Sequence, residues 1–211
     1  MAQQARALAT RELIIHAASD VFATRSYAQA TLGDVRRVSG VTQGALYFHF
    51  DSKNALAVEI IERQHELFQA AGTALVEEDF RGLEAMIVLS RRLASLITTD
   101  AIVRAGLRLT TESADQFVEP ARRPYEDWIA TAEVLVARAI SDGDIPGDED
   151  SAAIAAFVIA AFTGVQSLSQ ARAGWDDLLP RLIEMWGFIL RGIGVSHARS
   201  DELDIASLLG E

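Results

Sequence analysis

The residues best suited to chemistry in this 211-residue sequence lie in one short segment, residues 42–49. Gln43 carries a carboxamide whose donor and acceptor can pair with N6 and N7 of adenine, or with another base edge in a DNA groove. The hydroxyl of Thr42, directly before it, can cap a helix N-terminus and contact a phosphate. Both roles require a short helix that presents Gln43 at its exposed end. The segment therefore indicates contact with DNA.

Two short helices joined by a glycine-containing turn are predicted to position this segment. Thr31, followed three residues later by Asp34, is typical of a helix start. Gly40 can adopt the left-handed conformation that turns the chain, and Thr42 then caps a second helix at residues 43–49. In a helix-turn-helix the first helix braces the second, whose N-terminal residues reach the bases. The apolar residues expected to lock the two helices together are Val35, Val38, Val41 and Leu46.

The charge distribution supports DNA contact through the N-terminal part of the chain. The net charge of −11 by itself disfavours a nucleic-acid partner, because such proteins normally present a basic surface. Residues 1–56 nevertheless carry six basic and four acidic side chains, a balance of +2, whereas the rest of the chain carries −13. The acidic remainder would discourage DNA contact elsewhere.

Hydrophobic periodicity predicts an all-α fold without strands or internal repeats. Apolar residues recur at steps of three and four over residues 8–22, and a long helix is expected from Asp51 or Ser52 toward Gly72. Further helices are predicted at residues 83–97, 101–112, 121–141, 151–172 and 178–193. We expect a three-helix helix-turn-helix domain at residues 1–51, a larger helical domain at 52–198 and a weakly held tail at 199–211. Four tail residues could dock as one short turn: Leu203, Ile205, Leu208 and Leu209.

Catalytic and metal sites are not predicted. The chain has no cysteine, which excludes disulfides, cysteine-containing zinc fingers and thiol nucleophiles. The four histidines are scattered without metal-ligand spacing, and the acidic loop at residues 142–150 has Pro146 and Ala153 where a calcium loop needs ligands. No glycine-rich phosphate loop or nucleophile elbow is present. We therefore expect neither enzymatic activity nor a cofactor.

Membrane insertion and secretion are also not predicted. Residues 1–20 contain charged side chains at helical spacing and lack the apolar core of a secretory signal. The most apolar run, residues 152–162, is shorter than the roughly 20 residues that span a bilayer, and it predicts a buried core helix. A cytoplasmic protein without a membrane partner is expected.

One family resemblance rests on the segment that contains Gln43. The chain has GVTQGALYFHF at residues 40–50 and Ser-Lys at 52–53. This string resembles the recognition helix, and the entry into the fourth helix, of the TetR-type repressors, bacterial regulators with a helical ligand-binding and dimerisation domain. The resemblance implies that Tyr47 and His49 contact the DNA backbone and that Lys53 meets a phosphate. The full expected DNA-binding set is Thr42, Gln43, Gly44, Tyr47, His49 and Lys53.

A looser resemblance, to the γ-butyrolactone receptor branch of that family, covers most of the chain. It is carried by RAGLRL at residues 104–109, by Trp128 after Pro-Tyr, and by EMW at residues 184–186. In that branch the tryptophan lies on the pocket wall and stacks on the lactone, which implies this role for Trp128. Gln64 and Thr163 resemble the polar partners of the ligand oxygens. The candidates for the apolar wall are Leu93, Leu107 and Phe162.

The residues leave open the base preference at position 43 and the roles of the candidate pocket residues. Position 43 often carries lysine in these receptors, so the base preference cannot be transferred to Gln43. In addition, Trp128 and Phe162 could be ordinary core, Gln64 could be solvated, and Thr163 could bond its own helix backbone.

The functional expectation is a transcriptional repressor that binds a pseudo-palindromic double-stranded operator as a homodimer. A γ-butyrolactone or butenolide would act as the inducer that releases it. The alternative within the family is a response to another apolar compound, such as a drug or a fatty acyl molecule. Two other functional classes remain for a helical chain, an enzyme and a DNA-free interaction protein. The charge distribution and the segment at residues 42–53 favour the repressor over both. Dimerisation is expected through helices 151–172 and 178–193 as a four-helix bundle, which would hold two recognition helices roughly 34–36 Å apart.

Overall fold

The computed structural model describes residues 2–112 and 116–210 of the chain. Within these residues all regular structure is helical, which confirms the all-α prediction. The expected domain limits at Met1 and Glu211 lie outside the described residues. The helices are α1 (Ala2–Thr24), α2 (Leu32–Ser39), α3 (Gln43–His49), α4 (Lys53–Glu77), α5 (Gly82–Thr99), α6 (Ala101–Glu112), α7 (Val118–Ser141), α8 (Ser151–Ala173), α9 (Leu178–Gly192), α10 (His197–Glu202) and α11 (Ile205–Leu209).

Two helices extend beyond their predicted limits. α4 continues through Gly72, where a side chain would collide with a neighbour: an added Cβ would lie 2.9 Å from Cγ2 of Thr131. The glycine thus permits close packing inside the helix and does not end it. α7 starts before Pro124, which lies inside the helix. A proline near the N-terminal end removes one backbone hydrogen bond but leaves the later turns able to form.

The chain divides into two compact units, one of Met1–Leu67 with Thr99–Pro124 and one of Phe68–Thr98 with Tyr125–Glu211. These limits differ from the expected functional boundaries at residues 51 and 198, which remain predictions. In the first unit α6 packs against α1, so α1 has partners well beyond the helix-turn-helix. The core of this unit includes Ile14, Phe22, Val35, Leu46, Ile60, Ile61, Ala105 and Leu109.

Ion pairs fasten α4 to α1 inside the first unit. Both guanidinium nitrogens of Arg11 donate to the carboxylate of Glu59, at 2.9 and 2.6 Å. Arg63 donates to both oxygens of Glu12 at 2.6 Å and also to Glu59 at 2.8 Å. The hydrogen bond from Arg63 holds the pKa of Glu12 below its usual value, and the one from Arg11 does the same for Glu59. The pairs fix the register of the two helices more than they add stability, because they are partly exposed.

The C-terminal segment is anchored within the second unit, contrary to the expectation of a weakly held tail. It forms two helices, and Leu203 and Leu209 are buried, so the alternative that residues 203–209 dock as one short turn agrees with α11. Arg199 donates to Glu84 at 2.7 Å and to Asp144 at 2.8 Å. Burial raises the pKa of Asp144, but hydrogen bonds from Arg81 and Arg199 outweigh that effect and leave the pKa below its usual value. The anchor is therefore a buried carboxylate between arginines, which local sequence patterns do not reveal.

Candidate DNA-binding and ligand-binding sites

The helix-turn-helix has the caps that the sequence predicts. Thr31 and Asp34 form a capping box, in which each backbone N–H donates to the other residue's side chain at 3.1 Å. Gly40 has φ +69°, the left-handed conformation expected for the turn. The Thr42 hydroxyl accepts a hydrogen bond from the Ala45 N–H at 3.2 Å. Local hydrogen bonds therefore set where α2 ends and where α3 begins.

The exposed side of α3 carries most of the expected DNA-contacting residues. Thr42, Gln43, Gly44 and Tyr47 are exposed, and His49 is half-buried. Beneath them Leu46 and Phe50 belong to the core of the first unit. The expected locking residues behave unequally. Val35 is fully buried and Val41 packs against the core, but Val38 is 51% exposed and does not lock the helices.

Lys53, the first residue of α4, binds protein groups. Its ammonium donates to the carbonyl oxygens of Tyr27 at 2.7 Å and Ala30 at 2.9 Å, in the connection between α1 and α2. It also lies 4.2 Å from the centroid of the Tyr27 ring, whose edge-to-face partner is Phe117. Two of the three ammonium protons are thus engaged within the first unit. The geometry makes Lys53 a positioning residue for the helix-turn-helix, and its expected phosphate contact stays a prediction.

Replacing this ammonium tests its structural role. We expect Lys53→Met to lower the free energy of unfolding by about 2–4 kcal/mol, because two hydrogen bonds to a charged donor are lost. Urea unfolding followed by circular dichroism measures the change. Arg36→Met, which removes an exposed charge from α2, is the control and should leave stability nearly unchanged. An equally stable Lys53→Met variant would contradict the structural role.

In the first unit, the candidate ligand-binding residues are Gln64 and Leu107, and both are buried. Gln64 is fully buried, so the open possibility that it is solvated is wrong. Neither its Oε1 nor its Nε2 has a hydrogen-bond partner among the described residues. Gly106 of α6 lies directly against it, since an added Cβ would be 2.5 Å from the Gln64 Cβ. A buried, unpaired carboxamide costs about 1–3 kcal/mol, which makes it a candidate for binding a ligand.

In the second unit, Trp128 belongs to an aromatic cluster. Its ring lies 5.3 Å from that of Phe68 and 5.0 Å from that of Tyr125, the latter edge to face. Burial raises the pKa of Tyr125 above its usual value, and the nearby side chain of Thr163 partly offsets the rise. Of the two remaining candidates, Phe162 is buried and Leu93 is half-buried.

Tyr125 was missed as a candidate site residue by the sequence analysis. Its spacing contained a usable signal, because residues three apart lie on the same side of a helix and Tyr125 precedes Trp128 by three. The hydroxyl adds a polar group beside the aromatic rings. The arrangement can therefore hold an apolar ring and also hydrogen-bond to an oxygen.

An apolar face on α8 and α9 remains exposed in the second unit. Phe157, Leu168 and Phe188 are 57%, 48% and 71% exposed. Phe157 and Phe188 line two adjoining open grooves of about 350 and 290 Å³. Such a face indicates an interaction site. Among the described residues, α8 is long and apolar enough by composition to cross a membrane, but one such helix is weak evidence. Ile154, Ala155, Val158 and Phe162 of this helix are buried, in line with the expected core helix, and other side chains of α8 are exposed on the apolar face.

Metal ligands are not clustered in the part of the chain that the structure describes. No group of three or more histidine, aspartate or glutamate side chains there is placed to hold an ion.

Comparison with family models gives two matches. The model for "Bacterial regulatory proteins, tetR family" matches residues 14–60, which include α2 and α3. The model for "Tetracyclin repressor-like, C-terminal domain" matches residues 80–195, more than half of the chain.

Individual proteins are similar over nearly the whole chain. The A-factor receptor protein of Streptomyces griseus is 32% identical over 98% of this chain and 74% of the relative. A crystal structure of a γ-butyrolactone receptor (ArpA-like protein) is 32% identical, has a TM-score of 0.81 and covers 97% of this chain and 96% of its own. The CprB protein of Streptomyces coelicolor, solved in complex with its operator sequence, is 31% identical with a TM-score of 0.78, over 97% and 96% of the two chains.

Proposed function

The chain belongs to the TetR family of bacterial transcriptional regulators, and we propose that it is a repressor released from its operator by a γ-butyrolactone-like signal. Its relatives are regulators and not enzymes. The observation that supports the ligand response best is the fully buried, unpaired carboxamide of Gln64 in a regulator similar to lactone receptors. We place the protein in the cytoplasm, where its DNA would be.

DNA contact is proposed for the exposed side of α3. Gln43 would pair with a base edge in the major groove, and its carboxamide suits adenine. Tyr47 and His49 would hydrogen-bond to phosphates and set the register of the helix. An added Cβ on Gly44 would meet no protein atom, so the protein's own packing does not require a glycine there. We propose that Gly44, next to the Thr42 cap, leaves space for the DNA backbone to approach.

Ligand contact is proposed separately for each unit. In the first unit the Gln64 carboxamide would bind an oxygen of the ligand, and Leu107 would supply apolar contact. In the second unit Trp128 would stack on the lactone ring and Thr163 would hydrogen-bond to an oxygen. Leu93 and Phe162 would add apolar surface there. In each unit the proposed contacts suit a small apolar ring that bears an oxygen.

A homodimer is proposed through the exposed apolar face of α8 and α9. A second copy of the same face would cover Phe157 and Phe188 and form a four-helix bundle. Twofold symmetry of the protein then requires a pseudo-palindromic operator, with half-sites about one helical turn of DNA apart.

Release is proposed to act through α4. The helix begins at Lys53, which holds the connection between α1 and α2, and reaches Gln64 about 16 Å farther along. Between them Glu59 is paired with Arg11 of α1. A ligand that binds Gln64 better in one position of α4 would therefore favour one position of the helix-turn-helix, as differential affinity requires.

The proposed function is tested by a gel shift with DNA from upstream of the protein's own coding sequence. We expect the protein to retard this DNA and a synthetic γ-butyrolactone to release it at micromolar concentration. Converting operator that is 99% bound into operator that is 99% free requires that ligand bind the released state about 10,000-fold more tightly than the DNA-bound state. DNA binding that persists at saturating lactone but is released by another apolar compound would contradict the proposal of a lactone inducer. It would still support the proposed repressor function. No retardation of any upstream fragment would contradict the repressor itself.

A further inference from the structure

Phe48 has an unusual position for an aromatic residue. It is 79% exposed, the largest exposure among the big apolar side chains of the described residues. It lies on α3, where the other exposed side chains are polar. Within residues 2–112 and 116–210, the one aromatic ring that it contacts is that of the half-buried His49, edge to face at 5.0 Å. A lone exposed apolar residue is common on protein surfaces. On this helix, however, it stands among the residues proposed to contact DNA.

Helix geometry shows which way Phe48 faces. Successive residues turn by 100°, so Phe48 points about 160° away from Leu46, the buried anchor of α3. It stands one turn after Gly44, which has no side chain to cover it. Another row of the exposed surface carries Gln43 and Tyr47. Gln43, five residues earlier, points about 140° away from Phe48 around the helix axis, so the ring faces outward on a different side of α3 from the carboxamide.

We propose that Phe48 is a specificity-determining residue that contacts the C5-methyl group of a thymine in the operator. The proposal rests on the proposed DNA-binding function. Base edges in the major groove present polar donors and acceptors, and the thymine methyl is the one apolar group that they offer there. A phenyl ring cannot hydrogen-bond to the polar groups, so apolar contact with a methyl is its means of discrimination. Phe48 would thus require thymine at a fixed position in each half-site, separate from the base that Gln43 contacts.

The test removes the methyl group and the ring separately. An operator is first selected from random double-stranded DNA with the wild-type protein. Each thymine is then replaced by deoxyuridine, symmetrically in both half-sites, and affinity is measured by fluorescence anisotropy. We expect one position to cost about fourfold per methyl group, hence about 15-fold for the symmetric change. Phe48→Ala should bind the thymine operator more weakly and show no further loss on deoxyuridine at that position.

Val38→Ala is the matched control, because Val38 is also exposed but lies on α2. It should keep the full deoxyuridine effect. Thermal unfolding and sedimentation of each variant exclude misfolding and altered assembly. The proposal is overturned, with DNA binding intact, if no deoxyuridine replacement changes the operator affinity of the wild type. It is also overturned if Phe48→Ala loses as much affinity on deoxyuridine replacement as the wild type does. Loss of self-association in Phe48→Ala would assign the ring to a protein contact and also overturn it. If the wild type selects no DNA, the proposed function itself fails.

Discussion

Phe157→Glu is expected to convert the protein into a monomer and to lower its operator affinity by about 100-fold or more. Phe157 is 57% exposed and lines both grooves between α8 and α9. A carboxylate there would be buried unfavourably if a second copy covered this face, because Glu149 lines one groove and Arg181, which lines the other, is already paired with Asp177 at 2.6 Å. The monomer would lose the avidity of two linked recognition helices, which is worth about 100- to 10,000-fold.

Analytical ultracentrifugation measures the mass, and fluorescence anisotropy with a palindromic operator measures the affinity. Val134→Glu is the matched control, because Val134 is 49% exposed on α7 and lines neither groove. It should remain dimeric and bind DNA normally. A Phe157→Glu protein that stays dimeric would show that this face is not the interface between copies.

The helix-turn-helix could be predicted in detail because its determinants are local. The capping box of Thr31 and Asp34, the left-handed Gly40 and the Thr42 cap each act within four residues of themselves. Local patterns can therefore specify them without knowledge of the rest of the fold. The same argument explains why the limits of α2 and α3 agree with the prediction.

The role of Lys53 could not be predicted from local patterns. Its carbonyl partners in Tyr27 and Ala30 lie 26 and 23 residues earlier in the chain. Any lysine at a helix start can face water, a phosphate or a carbonyl, and only the folded chain distinguishes them. The anchoring of Arg199 by Asp144, 55 residues earlier, escaped prediction for the same reason.

Burial of apolar and polar residues was predicted unevenly. A helix that is hydrophobic all round, like α8, fits a protein core and a contact with a second chain equally well, so the sequence indicated both roles for α8 and did not single out Phe157 as exposed. Gln64 posed the opposite problem. A glutamine on a helix is usually solvated, and it is buried here beside Gly106, far along the sequence. The family resemblance singled out Gln64, but its unpaired amide required the structure.

Gln64→Leu is expected to stabilise the protein and to abolish its response to the ligand. The carboxamide is fully buried and neither Oε1 nor Nε2 is hydrogen-bonded to a described residue, so an apolar side chain of similar size removes a cost of about 1–3 kcal/mol. The same change removes the proposed partner of a ligand oxygen. A variant that is more stable but is no longer released from the operator by ligand is the result expected when a residue serves ligand binding and lowers the stability of the fold.

Gln166→Leu is the matched control, because Gln166 is also buried but is hydrogen-bonded. Its Oε1 accepts from Nε1 of Trp175 at 3.4 Å, and its Nε2 donates to the Ser167 hydroxyl at 3.0 Å. This variant should lose stability and keep the ligand response. Urea unfolding measures the stabilities, and lactone titration of the operator complex measures release. Lower stability in Gln64→Leu would show that the fold itself uses this amide. Release at the wild-type lactone concentration would remove Gln64 from the ligand-binding residues, because a lost hydrogen bond to a buried oxygen weakens binding at least several-fold.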